Sequence, residues 1–203
     1  TGSYNTALGQ GALATNTTSS YNTAVGDNTL NVNTGANNTA VGQNALAANT
    51  TGTGNVAVGK GTLDACTTSV SNVCVGNSAG GSITTGNGEN VCVGNNAGGA
   101  MTTGQQNIFI GDNCAGGGVV TGNLNTIIGD NAGYDLTTGV TNTALGGGAL
   151  GNTTTGSQNV ALGYEALLTQ TTASYNTAVG GYSMHDNTTG ASNCAVGDHA
   201  LHS

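Results

Sequence analysis

The hydrophobic residues of this chain occur in runs of three or four, each bounded by an Asn before the run and a Gly after it. The first run stands in NTALG at 5–9 and the second in NTAVG at 22–26, and the pattern returns twelve times. Consecutive glycines of the pattern are 16 to 18 residues apart, most often 17. Runs this short cannot establish a helical period, so the pattern predicts twelve short β-strands.

Two positions of the repeat do not vary among the twelve copies. The Asn position comprises Asn5, Asn22, Asn38, Asn55, Asn72, Asn90, Asn107, Asn125, Asn142, Asn159, Asn176 and Asn193. The Gly position comprises Gly9, Gly26, Gly42, Gly59, Gly76, Gly94, Gly111, Gly129, Gly146, Gly163, Gly180 and Gly197. Stacked Asn side chains can hydrogen-bond along a column, and a Gly suits a positive φ or a place where a Cβ would clash. We therefore expect both columns to be structural.

Each copy continues with a second apolar segment and a polar corner. Ala12 and Leu13 follow the first Gly at three and four positions, and Thr17 and Thr18 form the corner. A copy of 17 residues is too short for the helix pairs of α-solenoids, but it suits a β-coil stacked at about 4.8 Å per turn. The sequence thus predicts an all-β protein, a parallel β-solenoid of about twelve 17-residue coils forming a single repeat domain over residues 1–203.

Two columns of the repeat vary together in volume. In eight copies the residue two before the Gly is Ala and the residue four after it is Leu or Met. The four middle copies reverse this, with Cys74, Cys92, Phe109 and Ile127 at the first position and Gly80, Gly98, Ala115 and Gly133 at the second. Close packing demands such compensation when two side chains share one interior. Both columns are therefore predicted to face the inside of the coil.

The neighbours of the inward strand residue should then point outward, because side chains alternate along a strand. One of these columns, beginning with Leu8, Val25 and Val41, is aliphatic in every copy. An apolar stripe along the whole rod usually marks a protein interface. We therefore expect parallel self-association into a homotrimer. End-to-end growth into a filament is also expected, since neither terminal copy resembles a polar cap and solenoid ends offer unpaired strand edges.

Composition narrows the classes of function. The chain has 37 Gly but no Pro and no G-X-Y period, which argues against collagen. One Lys against nine acids gives a net charge of −8, which disfavours nucleic acid as a partner. We expect neither a membrane span nor a signal peptide within this sequence, since it has no apolar run near 18 residues.

Candidate chemistry is sparse, and we expect neither an enzyme nor a cofactor. His185, His199 and His202 are close in sequence and could form a metal site with Asp186 or Asp198, but an exposed cluster is favoured. Acids and amides follow the conserved Gly at Asp27, Asn77, Asn95, Asp112, Asp130 and Asp198. A carboxylate ladder could bind Ca²⁺, but other residue types interrupt the column, which favours a plain polar corner.

The five cysteines indicate no disulfide framework. Cys74 and Cys92 occupy the same column in adjacent coils, so a disulfide between them is conceivable. Buried thiols that act as small hydrophobes are favoured, because Ala or Ile fills this position elsewhere.

Two other surfaces offer alternative functions. The Thr corner could be an ice-binding array, but its paired Thr residues are adjacent in sequence, so their side chains should diverge. Exposed Tyr residues could contact a glycan or a receptor; they are Tyr4, Tyr21, Tyr134, Tyr164, Tyr175 and Tyr182.

From Asn5 to Leu201, the repeat Asn-x-Ala-Val-Gly-x-x-Ala-Leu…Thr-Thr-Gly resembles the head repeats of YadA-type trimeric autotransporter adhesins. It resembles still more closely the longer repeats of bacteriophage tail-fibre proteins. The resemblance implies a trimeric left-handed parallel β-roll that serves as a shaft or receptor-binding head. It also implies an extracellular, cell-surface or virion location. The 17-residue copy is longer than the adhesin repeat, which favours the fibre relatives.

Overall fold

The computed structural model describes residues 2–86 and 88–202. It confirms the all-β solenoid, with twelve strands of three residues each. The strands are β1 Thr6–Leu8, β2 Thr23–Val25, β3 Thr39–Val41, β4 Val56–Val58, β5 Val73–Val75, β6 Val91–Val93, β7 Ile108–Ile110, β8 Thr126–Ile128, β9 Thr143–Leu145, β10 Val160–Leu162, β11 Thr177–Val179 and β12 Cys194–Val196. Within the described ranges, no helix is long and apolar enough to cross a bilayer.

All twelve strands form one parallel sheet in sequence order, so each strand pairs with the next along the chain. Eleven turns of chain connect them, and the pairing is in register: Thr6 lies beside Thr23, Ala7 beside Ala24 and Leu8 beside Val25. Equivalent residues of successive coils are therefore direct neighbours. The columns seen in the sequence are columns in space.

The central residue of each strand points into the coil, and the residues on either side of it point outward. Ala24, Cys74 and Phe109 are fully buried, as are the facing residues Leu30 and Leu46. Only the N-terminal strand departs from this pattern, since all three residues of β1 are exposed. The interior thus holds both columns that vary together in the sequence.

The volume compensation between these columns is direct. A Cβ added to Gly80 would lie 2.9 Å from Sγ of Cys74, and one added to Gly98 would lie 2.9 Å from Sγ of Cys92. At Gly133 it would lie 2.7 Å from Cδ1 of Ile127. The large strand residue of a middle coil therefore fills the space that Leu fills in the other coils.

A third interior column lies three residues after the Leu position and was missed in the sequence analysis. Where the Leu position holds Gly, this column holds Ile83, Met101 and Leu136, all buried. Elsewhere it is mostly polar, as at the buried Asn49 and Thr153. The middle coils therefore have a more apolar interior than the coils toward either end.

The polar part of this third column forms its own hydrogen bonds. Nδ2 of Asn49 donates to Oδ1 of Asn33 at 2.6 Å and to the carbonyl of Gly52 at 3.0 Å. The next coil has Cys66 at this position, so the amide ladder stops there. Oδ1 of Asn49 is consequently buried without a hydrogen-bond partner.

Each coil closes through four residues with positive φ at fixed places. They are the residue before the Asn, the conserved Gly, and the residues two and four after that Gly. The conserved glycines have φ between 128° and 145°. In the first eleven coils a Cβ there would lie 2.2–2.7 Å from the carbonyl oxygen of the next conserved Gly. Any side chain would push successive coils apart, which explains why this position is always Gly.

The fourth of these positions is unusual because it is most often Leu. Leu46 has φ 51° and Leu63 has φ 52°. A left-handed conformation costs a non-Gly residue roughly 1–2 kcal/mol, whereas burial of a Leu side chain gains about 1.5–3 kcal/mol. Burial therefore offsets the strain. Gly80, Gly98 and Gly133 adopt the same conformation, with φ of 57° to 59°.

Replacement of Leu46 by Asp tests the interior assignment. Leu46 is fully buried, and an unpaired carboxylate there should lower the free energy of unfolding by about 4 kcal/mol or more. The matched control is Thr51→Asp, which places the same charge on an exposed corner of the same coil. Urea or thermal unfolding followed by circular dichroism gives the measurement. Equal stability of the two variants would contradict the packing described above.

Candidate functional site

The Asn column forms a continuous hydrogen-bonded ladder inside the solenoid. Oδ1 of Asn142 accepts from the backbone N–H of Asn159 at 3.0 Å and from Nδ2 of Asn159 at 3.1 Å. Nδ2 of Asn142 donates to Oδ1 of Asn125 at 3.1 Å and to the carbonyl of Gly156 at 2.8 Å. One Asn side chain thus satisfies backbone groups in its own corner and in the next coil.

The same bond from Oδ1 to the next Asn backbone N–H recurs along the ladder, from Asn5 to Asn193. Asn22 to Asn176 are fully buried in this column. Buried amides in a repeated pattern replace water as hydrogen-bond partners for the corner backbone. The Asn column therefore holds the coils together and faces no ligand.

The paired Thr residues of the corner have different environments, as their adjacency in sequence predicts. The hydroxyl of the first Thr donates to the backbone carbonyl of its counterpart in the next coil, at 2.7–3.1 Å. In the pairs these donors are Thr50, Thr67, Thr137 and Thr154, and the single Thr34 donates in the same way. The second Thr of each pair, such as Thr51 or Thr68, is exposed. The corner therefore presents one free column of Thr.

The outer face of the sheet is an extended apolar surface of the described chain. Each strand contributes two outward residues, and these are Thr, Val, Leu, Ile or Cys in every strand. Val73, Val75 and Ile108 remain 37–39% exposed although strands cover them on both sides. The nine acids and Lys60 all lie outside the strands. This outer strand face is a charge-free stripe bordered by polar corners.

The acid and amide column beside this face is held by its own hydrogen bonds. Oδ1 of Asp112 accepts from Nδ2 of Asn95 at 2.9 Å, and Oδ2 accepts from Nδ2 of Asn113 at 3.2 Å. Asn77 donates in turn to Asn95 at 3.2 Å. The side chains pair with one another along the corner, which fits a polar corner better than a Ca²⁺ ladder.

The cysteines are free thiols in the structure, including Cys74 and Cys92. Burial raises the pKa of Cys66 to about 11 and the pKa of Cys114 to about 12. A hydrogen bond with Cys74, together with burial, raises the pKa of Cys92 well above its ordinary value. These buried thiols stay protonated at neutral pH and are poor nucleophiles. Cys194 differs, because it is exposed on the outer strand face.

Four of the six tyrosines form two separate pairs on the surface, while Tyr134 and Tyr175 are exposed outside these pairs. Tyr4 and Tyr21 stack at a ring-centroid distance of 5.0 Å, and they are 77% and 59% exposed. Toward the other end, Tyr164 and Tyr182 meet edge to face at 5.4 Å. Stacked exposed rings could contact a sugar or a receptor, but the two groups belong to distant coils.

The three histidines come together in the last two described coils. His185 and His202 stack at 5.1 Å, and His199 stacks on His202 at 5.2 Å. Sequence proximity correctly placed them in one cluster. Glu165 of the preceding coil also reaches this cluster, with its Oε2 3.4 Å from Nε2 of His185. Nothing in the sequence indicated that contact.

No protein-family model matches this chain, and neither the comparison with curated proteins nor that with solved structures found a match. The fold class therefore rests on the structure itself, which is a parallel β-solenoid. The likeness of the repeat to adhesin heads and phage fibres stays a prediction.

Replacement of Asn142 by Ala tests the ladder. The change leaves the N–H of Asn159 and the carbonyl of Gly156 buried without their partner, at a cost of roughly 1–3 kcal/mol for each group. We expect the free energy of unfolding to fall by about 3 kcal/mol. Asn152→Ala, at an exposed position of the same coil, should change stability little. Equal free energies of unfolding for the two variants in urea would show that the ladder does not stabilise the fold.

Proposed function

We propose that this chain is a structural fibre module of the trimeric attachment type. Three left-handed solenoids associate in parallel through their outer strand faces and project a receptor-binding surface away from a cell or virion. The observation that carries the proposal is the charge-free apolar stripe along all twelve strands. Stripes of this extent, rimmed by polar residues, are characteristic of protein interfaces.

Charge supports a second copy of this chain as the partner on that face. Each chain carries a net charge of −8, so copies repel one another unless the acids stay away from the contact. The acids border the face without entering it, since Asp27, Asp112 and Asp130 lie on the corner after the conserved Gly rather than in the strands. Two such faces can therefore approach without burying an unpaired charge.

The geometry of the stripe favours a parallel arrangement around a common axis. Its two columns run straight along the rod because the strands pair in register over eleven turns. A stripe only two residues wide on each strand suits several narrow faces meeting along an axis. The polar corners, including the exposed Thr column and the Tyr pairs, then remain free to contact a receptor or a glycan.

Stacked coils also suit the mechanical part of the proposed role. Each coil contacts its neighbours through backbone hydrogen bonds, the Asn ladder and the interior columns. Stability of such a rod accumulates from nearest-neighbour contacts. A rod of twelve coils, roughly 55–60 Å long at the usual strand spacing, can hold a binding surface at a fixed distance. End-to-end joining would extend that reach.

Ice binding by the Thr column is the alternative function. The exposed Thr of each corner gives one regular column, whereas the hydroxyls of the first Thr already serve the stacking of coils. An ice-binding face needs two such columns side by side. One column therefore supports this alternative less well than the outer strand face supports self-association.

Mass in solution tests the fibre proposal directly. Light scattering after size exclusion should give about three times the chain mass of 19.5 kDa, or a larger filament. Ile108→Lys puts a charge in the middle of the outer strand face and should shift the protein to monomer. Thr138→Lys, which adds the same charge on the exposed corner, should leave the mass unchanged. A monomeric parent chain would make an ice-recrystallisation assay the next measurement.

Cys194 provides a native reporter of the same face. It is the exposed cysteine on strand β12, whereas Cys66, Cys74, Cys92 and Cys114 are buried in the coil. In the trimer, Cys194 should react slowly with a thiol reagent such as DTNB. In the Ile108→Lys monomer it should react at least tenfold faster, with one thiol labelled per chain. Equal rates in the two proteins would place the contact elsewhere.

A further inference from the structure

His185, Asp186 and His202 converge on one side of the last two described coils. His185 follows strand β11 and His202 follows strand β12, so they are counterparts in neighbouring coils. Backbone hydrogen bonds fix the two coils beside them: Met184 donates to Ala200 at 2.8 Å and Asp186 donates to His202 at 3.1 Å. The stacking of the solenoid therefore sets the separation of the two imidazole rings.

The donor atoms of these side chains are close enough to share one ion. One ligand atom from each of the three residues lies within 4.8 Å of the other two. Asp186 is central, since Oδ1 lies 2.6 Å from Nδ1 of His185 and Oδ2 lies 3.8 Å from Nδ1 of His202. All three side chains reach solvent, with exposed fractions of 20% for His185, 51% for Asp186 and 37% for His202. An ion can thus enter from outside.

Glu165 supplies a second and independent feature of a metal site. Its Oε2 lies 3.4 Å from Nε2 of His185, on the opposite side of the ring from Asp186. When Nδ1 of His185 binds an ion, the ring proton is on Nε2, which faces this carboxylate. Metal-binding histidines usually have such a partner on the nitrogen that does not bind the metal.

We propose that His185, Asp186 and His202 bind one Zn²⁺ ion that links the two coils, with Glu165 as the residue that positions His185. Two imidazole nitrogens and a carboxylate oxygen form a donor set typical of Zn²⁺, whereas Mg²⁺ and Ca²⁺ prefer oxygen atoms alone. A water molecule would complete the tetrahedron.

Small side-chain rotations bring the donors into that geometry. Zn–N and Zn–O bonds of about 2.0–2.2 Å separate tetrahedral ligands by roughly 3.3 Å. The 2.6 Å between Nδ1 of His185 and Oδ1 of Asp186 must therefore widen slightly. Nδ1 of His202, which lies 3.8 Å from Oδ2 of Asp186, must turn toward the carboxylate oxygen that binds the ion. Side chains that are partly exposed can make both adjustments without moving the coils.

His199 offers a natural control within the same cluster. Its Nδ1 lies 2.9 Å from Oδ2 of Asp198, and both side chains are exposed by more than half. The pair is likewise a His beside an Asp, but it lacks a second His donor and a carboxylate equivalent to Glu165. It should therefore not hold an ion of its own.

Titration of Zn²⁺ into the full chain by isothermal calorimetry tests the proposal, in a Cys194→Ser background that removes the exposed thiol. We expect one Zn²⁺ per chain and a melting temperature that rises with Zn²⁺ but not with Mg²⁺. His185→Ala and His202→Ala should abolish saturable binding. Glu165→Gln should weaken binding by about tenfold, as loss of a supporting carboxylate does.

The control variants His199→Ala and Asp198→Asn should bind Zn²⁺ as the parent does. Circular dichroism of each variant without metal shows whether its fold is intact. The proposal is wrong if the parent shows no saturable binding up to millimolar Zn²⁺. It is equally wrong if His199→Ala loses as much affinity as His202→Ala. The titration does not depend on the oligomeric state, so its result is independent of the fibre proposal.

Discussion

Direct stacking of identical backbone positions is the constraint on which the rest of this structure depends. The strands pair in register through eleven turns, so every residue lies against its own counterpart one strand spacing away. In the part of the chain that the structure describes, no helix or second sheet satisfies the polar groups of the corners, and their N–H and C=O groups bond to the next coil instead. Anything that widens this spacing breaks many hydrogen bonds together. The invariant glycines are the clearest result, because a Cβ there would meet the carbonyl of the coil above.

The stacking also determines which side chains are useful in each column. A buried amide has two N–H donors and an acceptor oxygen, so each Asn can bond both the neighbouring Asn and a corner carbonyl, whereas a Ser has one donor and an ionised Asp has none. An apolar side chain needs only volume, so the interior columns can combine Ala with Leu, Cys or Ile with Gly, and Phe with Ala. At outward positions, the coil itself requires neither a hydrogen-bonding amide nor a particular side-chain volume. Their uncharged, mostly aliphatic character therefore points to a requirement outside the single chain, which the proposed trimer supplies.

Much of the fold could be predicted because the twelve copies act as an internal comparison. The strands, their order and the two compensating columns all follow from positions that repeat, and Ala24 and Leu30 are buried as expected. The third interior column escaped notice because it changes from Asn33 to Ile83 along the chain and looks irregular without the structure. The left-handed Leu positions were also missed, since Leu carries no sequence signal for positive φ. The approach of Glu165 to His185 depends on side-chain placement across coils, which no spacing rule fixes.

The interior of the rod is more apolar in the middle than toward the ends, and this difference affects the order in which the coils unfold. In the third interior column, coils toward the ends hold amide and hydroxyl side chains such as Asn49 and Thr153, whereas the central coils hold Met101 and Leu136 beside Phe109 and Ile127. Water competes well for buried amides and poorly for aliphatic groups. Partial opening therefore begins at the two extremities, and their amide protons exchange with solvent first. The central coils, which have the more apolar interior, stay folded longest and serve as the template on which unfolded end coils refold.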